Sequence, residues 1–543
     1  MKCSAFLLGV VLSFAFPLMA AEDHHHEDLT AEQLGTVHFP VSCSPSAQKT
    51  FERGVALLHS FWYEEAVRTF QEVASEDPHC AMAHWGIAMS LWHQLWDNPN
   101  DTTLKRGAGE LKKAKSLHPK DAREQQYIAA LDAFYKHRDE EHKVRATAYS
   151  QQMELLYQKY PDDHEAGIFY ALSLIASEPE KDTTYVNRKK AAMVLEKIFA
   201  EEPDHPGIAH YLIHSYDKPE MAELGLPAAR RYAKIAPVAP HAVHMPSHIF
   251  ARLGLWQEDI DSNLASIAAT HKGEEMHMDG GGHQFHAMDF LVYAYLQSGL
   301  EAEVQHVIDE VKAMPPMKDM YQGDSDPGPL NLESFEASYA LELHHWAEAA
   351  ALPVIPGTKG DDGVTYCARS VGAARSGNVA EARKDLAQLE VMRADASKHN
   401  PNHIGAIDYY RHVAEAWIDH AEGKNEAAIT LLRDIADSEN GVLEASEGIP
   451  AREMLADMLL ELDRSDQALT EYEANLKKNP NRFDSLYGAA HAAEIYGKSD
   501  ESKMYYAQLV KNCDRSNSDR PELGRAKAQL AKKGAEEASA LQK

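Results

Sequence analysis

The chain has 543 residues, is 44% hydrophobic and 25% charged, and carries 54 Lys+Arg against 84 Asp+Glu, a formal net charge of −30. This composition is globular rather than disordered, and the length is too great for one ordinary core but suits a stacked repeat array. The negative field argues against nucleic acid and anionic membranes as general partners and favours cationic ligands, metal ions included. The 30 His are a heavy load that needs an explanation.

The first elements are export signals. Lys2 supplies a positive end, Ala5 to Phe16 an apolar stretch, and Pro17 to Ala21 a small-residue end, so residues 1–21 are predicted to be a signal peptide. The stretch is too short for a stable membrane anchor. Cys3 precedes it, where a lipoprotein attachment cysteine does not stand. The mature protein is expected to be soluble, periplasmic or extracellular, with no membrane anchor after cleavage. Residues 22–42 follow as a polar, His-rich lead-in containing Asp23-His24-His25-His26-Glu27-Asp28. Cleavage after Ala21 would give Glu22-Asp23-His24 a terminal amine and a third-position His, an arrangement that chelates copper or nickel. Of the remaining cysteines, Cys43 and Cys80 lie about one repeat apart, at neighbouring helix starts, and are expected to form a disulfide; two buried thiols are the alternative.

From residue 43 onward the hydrophobic period is helical, and strand-type alternation is scarce. One frame recurs: Tyr63, Ala66, Phe70 and Pro78; Gly254, Trp256, Ile260 and Leu264; Gly377, Val379, Ala382 and Leu386; Ala468, Tyr472 and Pro480. This is the tetratricopeptide (TPR) pattern, a helix–turn–helix of about 34 residues. Small residues let the helices approach, large ones fill the gap between repeats, and Pro ends the second helix. The predicted fold is all-α, a TPR-type helix-turn-helix solenoid wound as a right-handed superhelix. Its expected parts are an amino-terminal array over 43–313, a Pro/Gly loop over 314–335, a carboxy-terminal array over 336–513, and a capping helix and tail over 514–543.

Several phrases resemble a large family of secreted bacterial TPR proteins: Leu58-His59-Ser60-Phe61-Trp62-Tyr63-Glu64-Glu65-Ala66, Ala209-His210-Tyr211-Leu212-Ile213-His214, His244-Met245-Pro246-Ser247-His248-Ile249-Phe250, and Pro480-Asn481-Arg482-Phe483. The resemblance covers most of the mature chain and implies the fold and the export, with no assigned activity. TPR proteins at large hold peptides or partner proteins in a concave groove lined by the first helix of each pair, so a protein or peptide partner is expected here.

Ten His fall between His205 and His286, mostly in three clusters. His210, His214 and Asp217 share one helical stripe of about 60°, as do His241, His244 and His248, although Pro246 either breaks or starts a helix there and weakens the second stripe. The third cluster is His283, His286 and Asp289. His241, His244 and His248 stand 13, 10 and 6 residues before Gly254, and His286 and Asp289 stand 13 and 10 before Gly299. These are groove positions of the TPR register. With neighbouring helices about 10 Å apart, side chains of successive repeats are placed to converge on one ion.

The candidate metal ligands are therefore His210, His214, Asp217, His241, His244, His248, His286 and Asp289. Imidazole and carboxylate without thiolate suit a divalent transition metal such as zinc, copper or iron. The His210 to His214 spacing is that of zincins, but the Glu after the first His is missing, which excludes that class. The residues leave three functions open. One is a scaffold that binds a partner and holds a metal. Another is a metal-dependent enzyme, hydrolytic or oxidative, with Asp217 or Asp289 as ligand or base. The third is a metal-free interaction module. His205 reads as a turn cap, Asp217 also as a loop-shaping residue, and Trp85, Trp92 and Trp96 as packing between repeats.

Overall fold

The computed structural model describes residues 29–96, 98–179, 182–278, 280–318, 326–355, 363–399, 403–438 and 448–541, with side chains to 532. The predicted signal peptide and the His24–His26 run lie outside the described residues. The described chain is a TPR-type helical solenoid with no strand among its described residues.

Helix starts follow local chemistry. Ser44 accepts a hydrogen bond from the Ala47 N–H ahead of Pro45–His59, Asp121 caps Ala122–Lys136, and Pro206, Pro240 and Pro246 each stand at a first helical position. Helix pairing uses the small–large complementarity of the repeat frame. A Cβ on Gly86 would sit 2.4 Å from the Phe70 ring, and one on Gly488 would sit 2.2 Å from the Tyr472 ring, so these aromatics pack flush on backbone. Either glycine changed to Ala would force its pair apart.

Cys43 and Cys80 form a disulfide, with Cα atoms 4.9 Å apart across a separation of 37 residues. They precede Pro45–His59 and Ala81–Ser90, the first helices of two successive pairs. Closing a loop of that length contributes about 3–4 kcal/mol in the chain-entropy model. A Cys43→Ser/Cys80→Ser variant is expected to unfold at correspondingly lower urea, with the oxidised wild type as the reference.

The structure departs from the sequence reading in three places. The end of the lead-in is not loose, because Leu34, Val37 and Phe39 are buried in the amino-terminal core. The Pro/Gly loop is shorter than expected, since Pro327, Gly328 and Pro329 open the helix Gly328–Glu342 instead of continuing the loop. The arrays also do not stay apart. The Trp256 indole N–H donates to the Asn481 carbonyl, and Arg482 reaches Tyr293 and Glu342.

The array also winds back on itself at its amino end. Pro45–His59 packs against Pro206–Tyr216, every residue of which is buried. The inner face of the middle repeats is therefore a filled interior and not an open groove.

Candidate metal centre

Two groups of three His occupy that interior. In the first, His210 and His214 lie one turn apart on Pro206–Tyr216, and His241 comes from the short helix Pro240–His244. His210 Nδ1–H donates to the His59 backbone carbonyl at 2.6 Å, which leaves its Nε2 as a lone pair. The Nε2 atoms of His214 and His241 approach that same atom at 3.0 and 3.2 Å.

The second group is His244, His248 and His286. Met245 keeps helical angles (φ −50°, ψ −34°), so Pro246 opens the helix Pro246–Leu253 without losing the His244–His248 register. Asn263 Nδ2 donates to the Asp259 backbone carbonyl at 3.0 Å, which turns its Oδ1 to accept from His244 Nδ1 at 2.7 Å. His248 Nδ1 donates to Asp217 Oδ2 at 3.0 Å, while Asp217 Oδ1 accepts from Arg252 Nε at 2.9 Å. Both outer nitrogens thus carry their protons, and the two Nε2 atoms face each other at 3.1 Å. The His286 ring stands 4.4 Å from that of His244 and 5.6 Å from that of His248.

Nitrogens bound to one ion at 2.0–2.1 Å with tetrahedral angles stand about 3.3 Å apart. The spacings in both groups approach that value, and in each group one ligand atom per residue lies within 4.8 Å of the others. His210, His241 and His244 are at most 2% exposed. Burial lowers the pKa of His210 and His286 to about 3 and of His214, His241 and His244 well below the usual value, so these rings are neutral, the form that binds metal. Apolar walls enclose both groups. Phe61 packs on His210, His214 and His241, Trp96 on His214 and His241, and Phe290 on His244 and His248. The groups adjoin, with ring centres 6.0 Å apart for His241 and His244 and 6.3 Å for His214 and His248.

Six of the eight sequence candidates therefore converge as two triads. Asp217 stands one bond further out, orienting His248 instead of facing an ion. Burial would raise its carboxyl, but Arg252 and His248 hold it well below the usual range. Asp289 belongs to neither group among the described residues. His205 stands at the N-cap of Pro206–Tyr216, but its buried side chain makes no capping bond and instead bonds Glu165 at 2.8 Å. Trp85 and Trp92 are packing residues, as expected, but Trp96 belongs to the site wall. The sequence reading missed the His59 carbonyl, Phe61, Asn263 and Arg252. Arg252 shares the His248 helix and Asn263 sits on the next one, whereas His59 is 151 residues from His210.

Two other buried clusters pair acidic groups with basic ones. His59 Nε2 and His205 Nε2 share Glu165 at 2.9 and 2.8 Å, and His59 Nδ1 meets the Tyr211 hydroxyl at 2.9 Å. Burial raises the Glu165 carboxyl, but the two imidazoles outweigh it and hold the pKa at about 2. This triad braces the His59 carbonyl that orients His210. The second cluster, Glu342, Glu453 and Asp484, surrounds the guanidinium groups of Arg482 and Arg520.

The fold and these groups define a helical-repeat protein with two adjacent three-imidazole sites. No protein-family model matches the chain, and no curated protein matches it. Among solved structures, it is similar to a human IFIT1 dimer with m7Gppp-AAAA (11% identity, TM-score 0.34, 84% of this chain and 94% of that one). It is also similar to the P58(IPK) TPR domain (12%, TM-score 0.19, 90% and 99%) and to Naa15/Naa10 bound to HypK-THB (10%, TM-score 0.25, 91% and 92%). The likeness is one of helical-repeat fold. No described helix is long and apolar enough to cross a membrane.

Proposed function

We propose that this is an exported helical-repeat protein whose middle repeats hold transition-metal ions through His210, His214 and His241 and through His244, His248 and His286. One observation carries this reading. His244 and His248 have both outer N–H groups committed to fixed acceptors, so their inner lone pairs oppose each other at 3.1 Å and call for a shared cation. The rings are 2% and 5% exposed, so bulk water is kept from these nitrogens. A metal ion satisfies both lone pairs and recruits His286. Nitrogen donors without thiolate suit copper or zinc best.

Three ligands per ion also favour an enzyme over a pure scaffold, because structural zinc sites close all four positions and catalytic sites leave one open. Within that reading, oxidative chemistry is better supported than hydrolytic, since both oxygens of Asp217 are engaged and it is a poor base. The filled interior supports placing any peptide partner elsewhere on the array.

Elemental analysis of untagged protein from its native export route, beside a His214→Ala/His248→Ala variant, tests the reading. Near-stoichiometric metal that is lost in the variant while helical content survives is the expected result. Absence of metal from the wild type after reconstitution overturns it. Asp217→Asn keeps the acceptor but loses the charge behind His248, so the second group's affinity is expected to fall about 10–100-fold with the first group unchanged, as read by competition with a chromophoric chelator.

A further inference from the structure

We infer that the two triads form one dinuclear copper centre that takes dioxygen between its ions; this rests on the metal reading above. The first argument is spacing. His241 and His244 belong to different triads yet are three residues apart on one helix, a rise of about 4.5 Å. His210/His214 and His244/His248 are i,i+4 pairs whose nearest cross-group rings stand 6.0 and 6.3 Å apart. The ions are therefore separated by on the order of 5 Å, one helical turn. That is near the 3.5–4 Å of two-metal sites and within reach of a two-atom bridge.

The second argument is charge. Burial holds five of the six donors neutral, and no carboxylate belongs to either triad among the described residues. Asp217, which accepts from His248, is already paired with Arg252. Two divalent ions would bring a charge of +4 into an interior walled by Phe61, Trp96 and Phe290, with no carboxylate among the six donors to offset it. The cost of burying charge grows with its square, so the donor set favours two monovalent ions. Cu(I) is the monovalent first-row ion that three imidazoles suit.

The third argument is access. His210, His241 and His244 are sealed, whereas His286 is partly exposed and His214 and His248 are 6% and 5% exposed. Access to the centre is therefore inferred from the His286 side, and burial this deep favours a small, uncharged molecule. The step balances without a proton. Each cuprous ion gives one electron to the dioxygen between them, the O–O π bond is lost, two copper–oxygen bonds form, and dioxygen is reduced to the two-electron level.

The test uses the full chain loaded anaerobically with Cu(I), counted by elemental analysis and then exposed to dioxygen. Two copper ions per chain, uptake of one dioxygen per pair, and near-complete loss of cupric EPR intensity through coupling across the bridge are expected. A His286→Asn/His248→Ala variant of unchanged helical content is expected to keep one copper with a full, uncoupled cupric signal after oxidation. One copper per wild-type chain, or two independent full-intensity signals, overturns the inference. Stoichiometric zinc binding by the same protein would then leave the metal reading intact; failure to bind either metal sinks both.

Discussion

Arg482→Ala is expected to be among the most damaging single changes to the fold, lowering stability by about 3–5 kcal/mol. The guanidinium is fully buried. It donates from Nε and Nη2 to Glu453 at 2.9 and 2.7 Å, from Nη2 to Glu342 at 2.7 Å, and from Nη1 to the Tyr293 hydroxyl at 3.1 Å. Its removal strands two carboxylates that are 3% and 1% exposed, and breaks the joint by which the Arg482 turn meets the helices His283–Gln297 and Gly328–Glu342. Arg482→Lys is expected to rescue little, because one ammonium cannot reproduce a planar fork shared among three acceptors. Urea unfolding followed by circular dichroism checks this. A loss below about 1 kcal/mol for Arg482→Ala would show that the joint relaxes and lets water reach Glu342 and Glu453.

Chelation is expected to have the second large effect. An ion that binds only the folded state contributes about 4 kcal/mol when free metal exceeds its dissociation constant a thousandfold. Stripping wild-type protein with a strong chelator should therefore lower its thermal midpoint by several degrees, and restoring metal should recover it. In a His210→Ala/His244→Ala variant, which loses the Nε2 at the centre of the first triad and one of the two opposed lone pairs of the second, chelator and metal should leave the midpoint unchanged. Equal chelator sensitivity of variant and wild type would place the stabilising ion elsewhere.

The fold was legible because each TPR repeat states its helix pair locally. Phe70 and Tyr472 announce the packing, Gly254 the turn, and Cys43 with Cys80 the neighbouring helix starts. The His positions were legible for the same reason, since counting back from Gly254 and Gly299 places them on the inner faces of first helices. Two things were not. The roles of Asp217 and Asn263 depend on which ring nitrogen of His248 and His244 faces outward, and that is set by a neighbouring helix. The filling of the groove depends on Pro45–His59 meeting Pro206–Tyr216, a contact over about 150 residues that no repeat encodes alone. Of the two roles open to Pro246, breaking or starting a helix, it takes the second, as the first residue of Pro246–Leu253 in unbroken register.

That closure changes what the amino-terminal repeat is for. An ordinary solenoid is a stack whose end units can be trimmed with only local loss. Here the amino-terminal repeat packs back onto the middle of the array, and Pro45–His59 is the keystone. His59 lends only a carbonyl oxygen and Phe61 only a ring face, yet both stand against His210. The centre cannot be completed until a segment made early and one made some 150 residues later have met, the kind of distant encounter that slows folding. A chain deprived of its first helix pair would retain all six imidazoles and still lack the chamber that aligns them.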